Sequence, residues 1–331
     1  IMSSPAINNP ELYFQTKLYT GTGSSNAITL DGTDNMQPDW VWIKSRNDSH
    51  NHQVFDSVRG VHNRMRTDTD GAETSSSESL KSFDSDGFTL GTQANVNSSS
   101  TTYVSWNWKK TATAGFDIVS FTGNATARTI SHSLSAVPKM YIVKNRSATG
   151  HWRVYHHIIG ATKHINLETS DAPGTASSVF NNTEPTSSVF SVGTDSSANG
   201  NGNNLIAYLF SEIKGYSKFG TYTGNGASDG PFVYTGFKPA FILGRRTDNA
   251  GGWWLSDNKR SGGFNLNDEY LVADSSNTEQ DDGSFASDFL SNGFKCRATN
   301  GNFNASGGTY VYMAMAESPI VTSSGSVAPA R

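Results

Sequence analysis

The sequence predicts an all-β protein made of three tandem β-sandwich repeats, each jelly-roll-like and about 100 residues long. Three observations lead to this prediction. The same landmarks occur three times, in the same order, along the 331 residues. The apolar runs are short, rich in aromatic and β-branched residues, and separated by clusters of Gly, Ser, Thr and Asn. No stretch shows the sustained apolar period of a long helix.

The first landmark is an aromatic-Thr-Gly motif at the start of each repeat. It occurs as Tyr19-Thr20-Gly21, Phe121-Thr122-Gly123 and Tyr222-Thr223-Gly224. A proline follows each motif, at Pro38, Pro138 and Pro239, with separations of 100 and 101 residues. Each proline opens an apolar run with a basic residue six positions later, at Lys44, Lys144 and Arg245. Because proline is tolerated at the first residue of a strand, each run predicts a strand that begins there.

Three further landmarks follow in each repeat. A second strand begins near Gln53, Trp152 and Trp253, a Gly-Phe strand lies at Gly87, Val189 and Gly293, and a tyrosine-centred strand closes each repeat at Tyr103, Tyr208 and Tyr310. In the first closing strand, Val104, Trp106 and Trp108 are predicted to share one face, because strand side chains alternate. The best helical candidate is Ser284–Leu290, one or two turns long.

The spacing of the landmarks predicts the domain boundaries. Residues 1–17 are expected to form an arm or linker, residues 18–112, 113–216 and 217–318 the three repeats, and residues 319–331 an extended tail. The joins between repeats are very short, so we expect the repeats to touch rather than move independently. The chain begins at Ile1 rather than at methionine, which leaves a longer N-terminus open.

Composition excludes several classes of function. The formal net charge is -4 and no basic stripe occurs, so nucleic acid is not an expected partner. No apolar run has membrane-spanning length and no signal-peptide pattern occurs, so membrane insertion is not expected. Cys296 is the single cysteine, which rules out an intrachain disulfide or a cysteine zinc cluster. Aromatic residues make up 11% of the chain, enough for compact cores.

Candidate catalytic and metal-binding patterns are weak. The histidine pairs, His50 with His52 and His156 with His157, lack a ligand spacing, and exposed loop or edge histidines are the favoured interpretation. The acidic turn from Asp68 to Glu73 resembles the start of a calcium loop without its later ligands. No nucleophile elbow occurs and no pair of carboxylates recurs across the three copies. We therefore expect no enzyme activity, no cofactor and no metal site.

Tryptophans remain as candidates for recognition. Core packing is the more common role of tryptophan in a small β domain, but an exposed indole beside polar groups stacks on a sugar ring or anchors an interface. Adjacent residues on a strand face opposite sides, so Trp253-Trp254 predicts one outward-facing indole. The predicted binding residues are His151, Trp152, Arg153, Trp253 and Trp254. Trp254→Ala would separate the two roles, since it unfolds the domain only if Trp254 is core.

Several segments are similar to one known family. They are the segments Tyr222 to Arg246, Ile142 to His156, Gly215 to Gly226 and Asn304 to Pro319. The chain, from about Leu12 onward, resembles uncharacterised repeat-containing virion- or tail-associated proteins of marine and environmental tailed bacteriophages. The resemblance implies a surface component of a phage particle, and no specific activity.

Three functions are compatible with these observations. The first is a non-enzymatic structural protein exposed on a virion, of the tail-fibre or receptor-binding type, that adheres to host surface glycans. The second is a capsid decoration or neck protein, and the third a secreted carbohydrate-active enzyme. For the first two, the expected partners are other virion proteins and further copies of the chain in a trimer or ring, with a host glycan as the possible ligand.

Overall fold

A computed structural model describes residues 7–316. Antiparallel strands dominate this part of the chain, and the predicted all-β fold class is confirmed. The strands fall into three consecutive groups, called copy one, copy two and copy three below. Each group contains one large sheet and one smaller sheet, and the first group has an additional two-stranded sheet formed by Asn63–Arg64 and Thr74–Ser75. The prediction for residues 319–331 lies outside the described residues.

Copy one follows a 3-10 turn at Pro10–Leu12. Its elements are β1 (Phe14–Thr20), β2 (Asn26–Thr29), β3 (Trp40–Ser45), β4 (Gln53–Asp56), β5 (Asn63–Arg64), β6 (Thr74–Ser75), β7 (Leu80–Asp84), β8 (Gly87–Leu90), helix α1 (Ala94–Asn97) and β9 (Thr102–Trp108).

Copy two follows a second 3-10 turn at Ala112–Ala114. Its elements are β10 (Phe116–Thr122), β11 (Arg128–Ser131), β12 (Met140–Asn145), β13 (Arg153–His156), β14 (Lys163–Asn166), β15 (Gly174–Thr175), α2 (Ser177–Phe180), β16 (Val189–Val192), α3 (Ser196–Asn199) and β17 (Asn204–Phe210).

Copy three begins directly after a short connection. Its elements are β18 (Ser217–Thr223), β19 (Phe232–Tyr234), β20 (Pro239–Arg246), β21 (Trp254–Asp257), β22 (Leu271–Val272), β23 (Ser287–Leu290), β24 (Gly293–Cys296), α4 (Gly301–Asn304) and β25 (Thr309–Ala316).

The large sheets have the same strand order. It is β1-β9-β3-β4 in copy one, β10-β17-β12-β13 followed by two short strands in copy two, and β18-β25-β20-β21-β22 in copy three. The closing strand of each copy therefore lies between its opening strand and the strand that follows the landmark proline. The register recurs as well, because Trp40, Met140 and Phe241 pair with the last residue of the next strand.

Each small sheet covers one face of its large sheet. The small sheets are β2-β8-β7, β11-β16 and β19-β24-β23. In copy two, Ile130 and Phe190 of the small sheet pack with Tyr141 and Tyr155 of the large sheet in one buried cluster. The arrangement gives each copy a core between two antiparallel sheets, as face-to-face sheet packing requires.

A buried asparagine ends a short helix at the same place in each copy, at Asn97, Asn199 and Asn304. The amide of Asn199 donates to the carbonyl oxygen of Gly193 at 2.7 Å and accepts from the backbone N–H of Asn124 at 3.1 Å. Asn97 and Asn304 make the corresponding pair of bonds. The asparagine thereby satisfies backbone groups of two separate segments.

The other faces of the three large sheets meet in one aromatic core. The Trp40 ring of copy one lies 4.8 Å from the Tyr208 ring of copy two, centroid to centroid, and the Trp106 ring lies 5.6 Å from Phe241 of copy three. Buried residues of all three copies belong to this single cluster. The copies therefore fold around a shared interior, and each large sheet is covered on both faces.

Hydrogen bonds close the three copies into a ring. Tyr208 of copy two donates to the Asp56 carboxylate of copy one at 2.6 Å, and Trp106 of copy one donates to the Asp257 carboxylate of copy three at 3.0 Å. His156 of copy two donates from Nε2 to the carbonyl oxygen of Tyr312 in copy three at 3.3 Å. We call these contacts junctions 1–2, 1–3 and 2–3.

Two local predictions are wrong. Residues 14–17 are not an arm, because they lie in β1 and pair with β9, and the Phe14 ring packs 4.9 Å from Trp108. Ser284–Leu290 is not helical, because Ser287–Leu290 forms β23. In β23 the buried Ser287 and Phe289 alternate with half-buried neighbours, which is the period of a strand with one covered face.

Candidate functional site: the outer face of copy three

The three tryptophans predicted to bind ligands are buried. Trp152, Trp253 and Trp254 expose 1% of their surface or less. The prediction that one member of Trp253-Trp254 faces solvent is wrong, because the sheet is covered on both sides. Trp254 packs inside its own copy against Phe303, at 5.0 Å between centroids.

Trp152 and Trp253 instead connect neighbouring copies. The indole N–H of Trp152 donates to the carbonyl oxygen of Arg66 in copy one at 2.9 Å, and that of Trp253 donates to Asn166 in copy two at 2.9 Å. His52 occupies the same position in copy one, and its Nε2 lies 3.1 Å from the carbonyl oxygen of Val272 in copy three. These residues hold the ring together, which explains their burial.

The remaining two predicted residues lie closer to the surface of copy two. His151 is about 44% exposed and bonds through Nδ1 to the buried carboxylate of Glu168. Arg153 is engaged by the carboxylate of Asp195 at 2.7 Å and by the side chain of Asn166. Both side chains are thus held by neighbours in their own copy, and the five predicted residues do not form one exposed site.

The histidine pairs also differ from their predicted role. His52 and His156 are fully buried, so the interpretation as exposed loop or edge residues is wrong for both. His157 is half-buried, and its Nε2 lies 3.0 Å from the carbonyl oxygen of Phe219 in copy three. Among residues 7–316 there is no group of three His, Cys, Asp or Glu side chains arranged to hold a metal ion.

Copy three carries an exposed aromatic pair on its small sheet. Phe232 and Tyr234 of β19 are 45% and 64% exposed, whereas Val233 between them is buried. The alternation follows from strand geometry, since Val233 faces the core of copy three and its neighbours face outward. Exposed aromatic residues on one face of a soluble protein are typical of an interaction site.

The other copies have small residues at these two positions. Val233 pairs with Phe294 as Ile28 pairs with Phe88 and Ile130 with Phe190, which aligns the three small sheets. Phe232 therefore corresponds to Ala27 and Thr129, and Tyr234 corresponds to Thr29 and Ser131. Because the smaller residues serve the same fold in copies one and two, the aromatic rings of copy three are not required by it.

A row of charges lies beside the aromatic pair. Lys295 stands between Phe232 and Asp288 across the sheet, where copy one has Thr89 between Ala27 and Ser82. The Lys295 ammonium lies 2.7 Å from the carboxylate of Asp229, on the loop that leads into β19. Lys295 donates a hydrogen bond to Asp229, and this bond together with the positive charge of Lys295 lowers the pKa of Asp229. The carboxylate therefore stays ionised.

A longer loop in copy three completes the surface. The segment from Asp257 to Leu271 spans fourteen positions, whereas Asp56 to Met65 and His156 to Ile165 each span nine. The additional residues include Phe264, which is 77% exposed, and Leu266, which is 42% exposed.

This loop borders an open cleft of about 530 Å³. The cleft is lined by Ser228, Asp229, Asn265, Leu266, Asp288 and Arg297. We call the cleft together with Phe232, Tyr234, Phe264 and Lys295 the copy-three face. It places apolar rings beside charged and hydroxyl groups, the two kinds of group that ligand sites combine.

Sequence reasoning missed the copy-three face although signals for it exist. Phe232-Val233-Tyr234 alternates visibly, and alignment of the copies would have shown its departure from Ala27 and Thr29. Whether a tryptophan is buried depends on contacts between copies that are far apart in sequence, and no local sequence pattern shows such contacts.

The comparisons with known proteins identify a family but no activity. Residues 9–319 match a family model described as "Domain of unknown function (DUF7483)". The chain belongs to this family. None of the curated proteins matches the chain. Within residues 7–316 there is no helix long and apolar enough to cross a membrane.

Proposed function

We propose that this DUF7483 chain is a non-enzymatic structural protein on the surface of a phage particle, of the tail-fibre or receptor-binding type, and that it adheres to a host surface glycan through the copy-three face. The single observation that carries the binding part is the exposed Phe232 and Tyr234 pair, where the other two copies have small residues. The assignment to a phage particle rests on the family resemblance of the sequence.

The scaffold supports a role in attachment. Three copies share one core, and each presents its small sheet on the outside of the ring. Side chains of a binding site are positioned more precisely on rigid strands than on loops. One copy is then free to vary its outward residues while the inward residues keep the ring closed.

Aromatic rings suit a glycan for a chemical reason. The C–H groups on one side of a pyranose ring form an apolar surface that packs on an aromatic ring, while its hydroxyls bond to nearby polar groups. Phe232 and Tyr234 offer the rings, and Lys295 and Asp229 offer the polar groups. Removal of the rings is expected to remove the apolar part of the contact.

The test is glycan-array binding by the purified chain and by the double variant Phe232→Ala/Tyr234→Thr, which installs the residues of copy one. We expect the wild type to bind at least one glycan and the variant to lose that binding while its unfolding temperature stays close to that of the wild type. The matched control is Thr129→Ala/Ser131→Ala, which alters the same positions of copy two. Binding retained by the copy-three variant, or lost equally by the control, would contradict the proposal.

A further inference from the structure

The cleft of the copy-three face contains charges of both signs that are already paired. The carboxylate of Asp229 lies 2.7 Å from the Lys295 ammonium and 3.6 Å from the Arg297 guanidinium. Arg297 lies 3.4 Å from the carboxylate of Asp288. Two carboxylates and two cations therefore balance one another, and an anionic or cationic ligand would have to displace one of these pairs.

The paired groups nevertheless remain accessible. The side chain of Asp229 is 83% exposed, and that of Arg297 is 40% exposed. A carboxylate only accepts hydrogen bonds and a guanidinium only donates them. A hydroxyl group does both, so two neighbouring hydroxyls on one molecule can bond to Asp229 and Arg297 together without disturbing the ion pair.

Asn265 has a different role in the cleft. Its amide donates to the carbonyl oxygen of Phe289 at 3.1 Å and accepts from the backbone N–H of Phe289 at 2.8 Å. These bonds fasten the long loop of copy three to β23. Leu266, the next residue, lines the same cleft as the charged groups.

We propose that this cleft takes an uncharged saccharide, with vicinal hydroxyls on Asp229 and Arg297 and the apolar side of the sugar ring against Leu266. The inference rests on the proposed function and adds the class of glycan. The cleft volume of about 530 Å³ lies within the range of roughly 300–1,000 Å³ that is usual for small-ligand sites. The charge balance selects an uncharged ligand, and the adjacent donor and acceptor select a polyhydroxylated one.

The test measures binding of neutral and anionic probes by titration calorimetry. Dextran fragments and chitin oligosaccharides are the neutral probes, and heparin and polysialic acid fragments are the anionic ones. Each is measured at about 0.1 M and about 1 M NaCl, between which the screening length falls from about 10 Å to about 3 Å. We expect a neutral probe to bind with an affinity that changes less than about twofold with salt.

Two variants test whether the neutral probe binds in the cleft. Asp229→Ala is expected to lower the affinity for the neutral probe about tenfold or more, since a hydrogen bond to a charged group is lost. The control is Glu78→Ala, which removes an exposed carboxylate that pairs with Lys81 in copy one. Unfolding curves establish that both variants keep the wild-type fold.

Each outcome decides between the two proposals. Binding of anionic probes alone, weakened at high salt and abolished by Phe232→Ala/Tyr234→Thr, would overturn the neutral class and leave the glycan function standing. Neutral binding that Asp229→Ala leaves unchanged would overturn the cleft as its site. Binding of no saccharide by the wild type would overturn both and favour a protein contact at this face.

Discussion

At the scale of single residues, burial separates the side chains that build the ring from those that face outward. Trp254 is fully buried against Phe303, whereas Phe264 in the same copy is 77% exposed. Both are aromatic, but only Trp254 was among the predicted binding residues. Their difference arises from long-range contacts, since Trp254 packs against Phe285, Phe294 and Phe303, up to about 50 positions away.

Trp254→Ala is therefore expected to destabilise the chain by about 3–5 kcal/mol, because a large aromatic side chain leaves a cavity in a packed core. Phe264→Ala is the matched exposed substitution and is expected to change the free energy of unfolding by less than about 0.5 kcal/mol. Urea denaturation followed by tryptophan fluorescence and circular dichroism measures both. Equal effects of the two substitutions would contradict the assignment of Trp254 to the core.

Sequence alone predicts the elements that depend on local chemistry. β20 begins at its landmark Pro239, whereas β3 and β12 begin two residues after Pro38 and Pro138. The alternation in β9 correctly puts Val104, Trp106 and Trp108 on one face. The prediction that one of Trp253 and Trp254 faces outward is wrong, because a strand pattern does not show whether a neighbouring copy covers the second face. The copy-three face could be found from sequence only by aligning the copies and asking where the outward residues differ.

At the scale of elements, two junctions of the ring are sealed by buried ion pairs. In junction 1–2, Asp56 pairs with Arg59, and Glu73 joins Arg59 to Arg146 of copy two. Junction 1–3 repeats this arrangement with its own four residues, Asp257, Arg260, Glu279 and Arg46. Each aspartate pairs with an arginine three positions later. Sequence reasoning missed the networks because Glu73 and Glu279 join arginines of another copy, 73 and 233 positions away.

Junction 2–3 differs in its chemistry. His156 and Ile159 occupy the positions that Asp56 and Arg59 have in junction 1–2. His156 is fully buried, its Nε2 donates to the carbonyl oxygen of Tyr312, and its Nδ1 accepts from the backbone N–H of Ile158 at 3.3 Å. A proton on Nδ1 would face that N–H, so the junction requires a neutral imidazole.

The stability of the chain should therefore depend on pH through His156. Burial, together with the neighbouring His157, lowers the pKa of His156 from 6.5 to about 3. The unfolded chain binds the proton near pH 6.5, so this stabilisation is full above that pH and is lost as pH falls towards about 3. Between about pH 6.5 and about pH 5 the loss amounts to about 2 kcal/mol.

The variant His156→Gln keeps a side-chain donor but cannot titrate. Its free energy of unfolding should fall by about 2 kcal/mol less than that of the wild type over the same pH range, in urea titrations at a series of pH values. His132→Gln, at a half-buried histidine of the same copy whose Nε2 lies 3.1 Å from the carbonyl oxygen of Thr186, should follow the wild type. If His156→Gln loses as much stability as the wild type, His156 is not the group responsible.

At the scale of the whole molecule, the three copies are parts of one structure rather than independent domains. Interfaces between domains of one chain are usually modest and rather polar. Here the centre is an aromatic cluster in which Trp40 contacts Tyr208 and Phe241 contacts Trp106. An isolated copy would expose one face of its large sheet to water, and that face is apolar.

The ring closes within a single chain. A further assembly of chains is therefore not needed to complete it, and the expected trimer or ring of chains stays a prediction for sedimentation or light scattering. The same closure explains how function can differ between copies. The inward residues of every copy must pack in the common core, whereas the outward residues lie outside that core and can differ. The outward residues of copy three differ most from those of the other copies, at Phe232, Tyr234 and the loop that carries Phe264.

The most direct test of this account is scanning calorimetry of the full chain. A shared core predicts one transition in which the calorimetric and van't Hoff enthalpies agree, because no copy can unfold without exposing the faces of the other two. Residues 113–216 expressed alone should then show no cooperative transition. Two or three resolved transitions of the full chain, or a cooperatively folding copy two on its own, would contradict the shared core.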